Sequence, residues 1–289
     1  MDENVSQSAL QLKINKLKNL PKLPEASMKI LEAINDPDIC IDKLASVLSM
    51  SPDLTARLLG LANSAYFGQD RSINDVRTAI FQVLGLQLVK SLALGIVLNV
   101  QFDTKKCRAF DTEYFWMRSL LTAVIAQKLV TAAKSKNLVA STAYTAGLLL
   151  NIGILVMGYL LPEELNTILV RCKKNNLSIS NEIARDLGQS YFHLGFSLLQ
   201  KWHLSILYQN ILNYFDDKAY QGEEADLILL LKASQKISGM LLNDDEISLT
   251  DIEELAEAIS IPVNDLSEMI SILSENKHEI QNLAQIMGS

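Results

Sequence analysis

Residues 51–68 read SPDLTARLLGLANSAYFG, and the fold class follows from how this stretch must behave. Ser51 stands where a helix N-cap belongs. Pro52 occupies the first helical position, where its missing N–H is no loss, and Asp53 lies in the first turn, where the helix dipole favours negative charge. Leu54, Leu58, Leu61 and Ala65 follow at i, i+4, i+7 and i+11, which is one face of a helix. Gly68 ends the run. Just before that end, Asn63, Ser64, Tyr66 and Phe67 bring short polar and aromatic side chains together. Core packing at a helix end is the plain reading of Tyr66 and Phe67. The alternative is an interaction surface for a partner protein, made of Asn63, Ser64, Tyr66 and Phe67. Asn63 is expected to bond local backbone, tying the helix end to the Gln69–Ile73 loop or to the adjacent helix.

The same grammar extends outward in both directions. Residues 1–19 are polar and then weakly amphipathic, a leader expected to be loosely attached. Leu20, Pro21, Leu23 and Pro24 form an extended entry, because each proline biases the preceding residue away from the helix. Pro24 then opens a helix carrying Ile30, Leu31 and Ile34, and Asn35, Asp36 and Pro37 end it. The next helix has Ile41, Leu44, Ala45 and Leu48 on one face. Beyond Gly68, Asn74 or Ser72 caps a helix with Val76, Ala79, Ile80 and Val83 inward, stopped by Gly85. Leu86–Val100 is apolar nearly all round, the mark of a helix buried on most sides. Gln101–Phe110 is polar and charged and reads as a connector. Asp111 caps a long helix running to about Lys134. Further helices fall at about 139–149, 152–161, 162–175, 179–187, 191–202, 205–215, 223–242, 250–260 and 263–286. No stretch sustains period-two alternation, so no strand is expected and the class is all-α.

The totals bound the function. The chain has 289 residues, of which 49% are apolar, enough for a large core. The formal charge is −7 and the basic residues are scattered, which argues against a nucleic-acid-binding surface. Cys40, Cys107 and Cys172 are widely spaced and read as buried thiols in a reducing cytoplasm. The first residues lack the basic-then-apolar form of a signal peptide. The apolar windows at Leu86–Val100 and Ala143–Leu161 are interrupted by polar residues and glycines, and read as core helices rather than membrane spans. There is no GxxxxGK[ST] loop, no GxSxG elbow, and no Cys or His pair at zinc spacing. His193, His203 and His278 read as structural or solvated, Trp116 and Trp202 as core anchors. The basic run at Arg171–Lys174 is the positive end of a helix.

The opening stretch resembles the signature of the HDOD domain, a bacterial signalling module related to the HD phosphohydrolases. Its form "dP.Lt.rlLrlaNSa.yg" is matched at Pro52, Asp53, Leu54, Thr55, Arg57, Leu58, Leu59, Leu61, Ala62, Asn63, Ser64, Ala65 and Gly68. The Leu-Pro-x-Leu-Pro entry and the run from Ile73 to Leu94 fit the same family. The resemblance implies a two-lobed helical module over residues 20–289. An N-terminal lobe would span about 20–104 and an HD-like lobe about 110–289, with the last helices packed onto the second half.

In active HD enzymes, His and Asp side chains hold divalent metals that activate water. The resemblance carries those positions onto Arg118, Leu150, Asn151, Tyr191, Phe215 and Asp216. The stretch AGLLLNIGIL at 146–155 keeps the glycines and leucines of "AgLLHDIGkl" but has Leu150 and Asn151 in place of the His-Asp pair. Gly188, Gly195 and Trp202 set a register in which Tyr191 replaces a His, with His193 two positions off. Leucine cannot ligate, arginine repels a cation and asparagine is a weak neutral ligand. The resemblance therefore implies a non-enzymatic module with no metal and no cofactor. It would bind a signalling protein in the cytoplasm, without nucleic acid or membrane, as a monomer or weak homo-oligomer. Alternatives are a small-ligand or nucleotide sensor using the emptied pocket, and, last, a residual phosphohydrolase. Arg118, Asn151 and Tyr191 are expected together, with Asp216 as the partner of Arg118.

Overall fold

The computed structural model describes residues 20, 22–68, 72–133, 137–243 and 247–289; the leader at 1–19, the first residues of the Gln69–Ile73 loop and Lys134 lie outside that description. Among the described residues all regular structure is helical. Helix α1 (Glu25–Asn35) buries Ile30, Leu31, Ala33 and Ile34, and α2 (Ile41–Leu48) buries Leu44, Ala45 and Leu48. In α3 (Pro52–Ala62) the Ser51 hydroxyl accepts the Leu54 amide, and Leu54, Leu58, Leu61 and Ala62 face the core. The helix stops at Ala62, however, and Ala65–Phe67 form a 3₁₀ turn closed by Gly68 in the left-handed region. Ala65 is therefore exposed rather than continuing the buried stripe.

The next cap is neither Ser72 nor Asn74. Asp75 accepts the Thr78 amide at 2.8 Å and opens α4 (Val76–Thr78), which runs on as a π-helical segment, Ala79–Leu84. An aspartate one residue further along wins because its carboxylate also takes the Thr78 hydroxyl at 2.6 Å. Gly85 then turns the chain into α5 (Leu86–Gln101), buried from Val89 to Leu98.

Helix α6 (Thr112–Ala132) is the axis of the molecule. Asp111 caps it through the Tyr114 amide at 2.9 Å. It packs against α7 (Ala140–Leu149), α13 (Ala225–Leu242) and the last helix, α16 (Lys277–Gly288). Between α7 and α13 come α8 (Ile152–Leu160), α9 (Pro162–Asn175), α10 (Ile179–Leu187), α11 (Tyr191–Lys201) and α12 (Ile206–Tyr214). Arg171 on α9 pairs with Glu182 and Asp186 on α10, and Arg185 joins the same cluster, so the first residue of the basic run is bound up in ion pairs. Helices α14 (Leu249–Ile259) and α15 (Val263–Glu275) complete the chain before α16. The single helix expected over 263–286 is two helices, broken at Asn276, whose side chain turns back to the Ile272 carbonyl at 2.8 Å.

Two further readings need correction. The last helices do not pack only on the second half. Helix α16 also meets α3, α5 and the 3₁₀ turn, and the Met287 carbonyl accepts from Arg57 Nη1 at 2.9 Å. Cys40 is exposed at the start of α2, whereas Cys107 and Cys172 are buried; all three are free thiols. The connector is polar in sequence but anchored in space. Phe102 is buried and stacks on Trp202 at 5.5 Å, and Cys107 is buried beside it in sequence. Trp116 is buried in the core and donates to Asn99 at 2.9 Å. The apolar window at Ala140–Leu160 is two helices, and its most apolar 18-residue stretch is 89% buried inside the protein.

Candidate functional site

Two glycines build the site. A Cβ on Gly153 would stand 1.8 Å from the Tyr191 carbonyl oxygen, so α8 and α11 touch backbone to backbone at that point. A Cβ on Gly147 would stand 2.7 Å from the Ala123 Cα, which presses α7 equally close to α6. These approaches bring Arg118 on α6, Asn151 between α7 and α8, and Tyr191 at the start of α11 into the wall of one cavity of about 670 Å³. The three residues that the sequence reading expected together do share a site.

At its centre is a bonded trio. The Tyr191 hydroxyl donates to Asn151 Oδ1 at 3.1 Å. Gln235 on α13 donates from Nε2 to the same oxygen at 3.2 Å and to the Tyr191 hydroxyl at 2.8 Å. Burial pushes the Tyr191 phenol up to about 12, while the Arg118 charge pulls the other way. At neutral pH Tyr191 is therefore a neutral donor. The Asn151 amide oxygen is fully engaged, and its Nδ2, buried, has no partner; neither has the buried Nε of Arg118.

Leu150, Phe215 and Asp216, the other positions that the resemblance singled out, do not join this trio. Leu150 is wholly buried in the core. Phe215 is buried, its ring 4.3 Å from that of Phe192, with Lys232 5.7 Å above it. Asp216, one residue on, is exposed, because Phe215 takes the inward direction where the chain leaves α12. The expected Arg118–Asp216 pair is not made: among the described residues no ion pair is found for Arg118. His193, His203 and His278 are exposed. Among the described residues no group of three or more His, Cys, Asp or Glu side chains is placed to hold a metal ion.

The donor set does not fit an HD metal centre. Leu150 is core, Phe215 is aromatic packing, Arg118 brings positive charge, Tyr191 holds its proton, and the one oxygen of Asn151 already accepts two hydrogen bonds. Metal ligands must be free lone pairs, and of the six positions Asp216 alone, an exposed carboxylate, supplies them, which is one ligand and not a site.

The opening stretch has its own geometry. Asn63 donates from Nδ2 to the Ile73 carbonyl at 2.8 Å and accepts the Ile73 amide at 2.7 Å, with a third bond to the Leu59 carbonyl at 2.9 Å. This is the tie between helix end and loop that the sequence reading expected of Asn63. Ser64 donates to the Leu61 carbonyl at 2.7 Å. Tyr66 and Phe67 meet edge to face at 5.0 Å and pack partly buried against the core, where α16 contacts the turn.

Sequence reasoning missed Gln235 and the serines at 178 and 180 that line the cavity. The signal for Gln235 was the run of small and polar residues Ser234, Gln235, Ser238 and Gly239 in a leucine-rich helix, which lies beyond the resembling region.

The sequence matches the HDOD domain family over residues 20–218. An uncharacterized protein of Treponema pallidum (strain Nichols) is 28% identical over 215 residues, 73% of this chain; the chain spans 40% of the length of that relative. Three crystal structures share the fold. An HDOD domain protein of unknown function from Geobacter sulfurreducens superposes with a TM-score of 0.74 at 21% identity, covering 99% of both chains. A proposed phosphohydrolase from Shewanella amazonensis SB2B gives 0.76 at 22%, covering 96% of this chain and 98% of its own. A proposed signal-transduction protein from Marinobacter aquaeolei VT8 gives 0.77 at 20%, covering 98% of this chain and 66% of its own.

Proposed function

Because the chain belongs to the HDOD domain family, we propose that it is a regulatory module of signal transduction that works by binding a partner protein and not by hydrolysing phosphate esters. One observation carries the reading: of the six positions that the resemblance assigns to an HD metal centre, Arg118, Leu150, Asn151, Tyr191 and Phe215 are committed to packing, charge or hydrogen bonding, and Asp216 alone is a carboxylate, which by itself is not a metal site. The fold is kept while the ligands are gone, and fold alone does not fix chemistry. On this reading the partner is a signalling protein met in the cytoplasm, and neither nucleic acid nor membrane is engaged; the net charge of −7 suits neither polyanion.

The test has two parts. Purified protein incubated with Mn²⁺, Fe²⁺ or Zn²⁺ and then desalted is expected to retain less than one metal per chain and to leave p-nitrophenyl phosphate intact. One tightly held metal per chain, or turnover that scales with enzyme, overturns the non-enzymatic reading. Crosslinking in the native cell is expected to capture a specific signalling protein, and size exclusion with light scattering to show a monomer or a weakly associating homo-oligomer.

A further inference from the structure

The cavity at Arg118 is built like a receptor for acceptor atoms. Its wall holds two buried donors with no acceptor, Arg118 Nε and Asn151 Nδ2. A buried donor left unbonded is costly, and native proteins rarely keep one without a purpose or an occupant. Tyr191 and Gln235 both bond the amide oxygen, which leaves Nδ2 on the other side of the amide. Among the described residues of the wall the charged side chains are Arg118, Lys173 and Asp111, so cations outnumber the acid, whose Oδ1 accepts the Tyr114 amide at the cap of α6. Two helices of nine residues also start at this wall: α8 directly after Asn151, and α10 at Ser178–Ser180, so that their positive ends add to the same field. Phe110, Tyr114, Leu169 and Leu177 add an apolar part to the lining. The volume, about 670 Å³, is that of a small-molecule site.

We infer that this cavity binds a small organic anion, its carboxylate or phosphate head taken by Arg118 and Asn151 and its apolar body by the aromatic side of the wall. The inference goes beyond protein docking and does not depend on it. A negative head supplies an acceptor and a countercharge to Arg118, which makes no ion pair among the described residues. A metal would do neither.

Phenyl phosphate and benzoate have the same body and differ in the head, so calorimetric titration with each decides both occupancy and head group. Phenol and benzamide serve as uncharged controls. Saturable binding of at least one of the two anions is expected, with Kd below about 1 mM, and none of the controls in that range. Arg118→Gln is expected to weaken it by about tenfold or more. Should that variant fail to fold, Arg118→Lys keeps the charge and loses the Nε donor, and a comparable loss is expected. No binding by either anion, binding of the uncharged controls as tight as the anions, or equal affinity in a folded Arg118 variant overturns the inference. Absence of binding leaves the non-hydrolytic reading untouched, whereas hydrolysis of bound phenyl phosphate overturns that reading and leaves the anion site standing.

Discussion

Asn63 is exposed, yet it bonds Ile73 as a neighbouring strand would, giving and taking one hydrogen bond with the same residue. The Ile73 side chain is buried, so the loop that follows α3 is pinned at the point where it re-enters the core. Removing the side chain leaves both backbone groups of Ile73 without their partner. Because water reaches this part of the surface, the cost of Asn63→Ala falls in the lower part of the usual range, about 1–2 kcal/mol. Thermal melts beside the parent measure it. An unchanged midpoint would show that Asn63 is not structural and would shift weight to an interaction surface at Asn63, Ser64, Tyr66 and Phe67. This residue was legible in the sequence because a short polar side chain at a helix end has few uses. Arg118 was legible only in part. Its place in the cavity followed from the resemblance, but its expected partner did not, because a one-residue alternation decides whether Phe215 or Asp216 faces inward, and the apolar ring takes that side.

At the scale of elements, glycine sets how closely the helices meet. Gly147 and Gly153 are needed because two helix pairs touch at backbone distance there. Most helix positions from α1 to α12 were readable because caps, stripes and stops are local; the exceptions are the end of α3 and the start of α4, each displaced by a few residues. What was not readable is the far wall of the cavity. Gln235 sits in α13, and amphipathic patterning cannot tell an inward polar residue from a solvated one. The break at Asn276 was hidden too, since no proline or glycine marks it. Gly153→Ala tests the element-level account. The added methyl cannot fit against the Tyr191 carbonyl, so α8 and α11 must separate, at a cost of about 1–3 kcal/mol by the usual scale of overpacking. Denaturant titration should show that loss, and near-UV dichroism of Tyr191 should change with it. A fully stable Gly153→Ala would mean that the close approach is not what positions Tyr191 beside Asn151.

At the scale of the whole molecule, α16 decides whether the two halves are one unit. It lies against α6 and also against α3 and α5, and its last turn accepts Arg57. Ile280, Leu283, Ala284 and Met287 are buried along it. Three of these side chains are large, each contributing about 1.5–3 kcal/mol on full burial, so the helix stabilises the fold by about 5 kcal/mol or more. That is comparable with the whole net stability of an ordinary domain. The full chain is therefore expected to unfold in urea as one transition seen alike by far-UV dichroism and tryptophan fluorescence. Deleting residues 277–289 should lower the stability by about that amount and loosen α3 and α5 together with α6. If the truncated chain does not fold, Ile280→Ala and Met287→Ala each give the answer more gently, at about 2–5 kcal/mol apiece. Two separate transitions in the full chain, or a truncation that costs less than about 1 kcal/mol, would mean that the halves stand independently and that α16 merely rests on them.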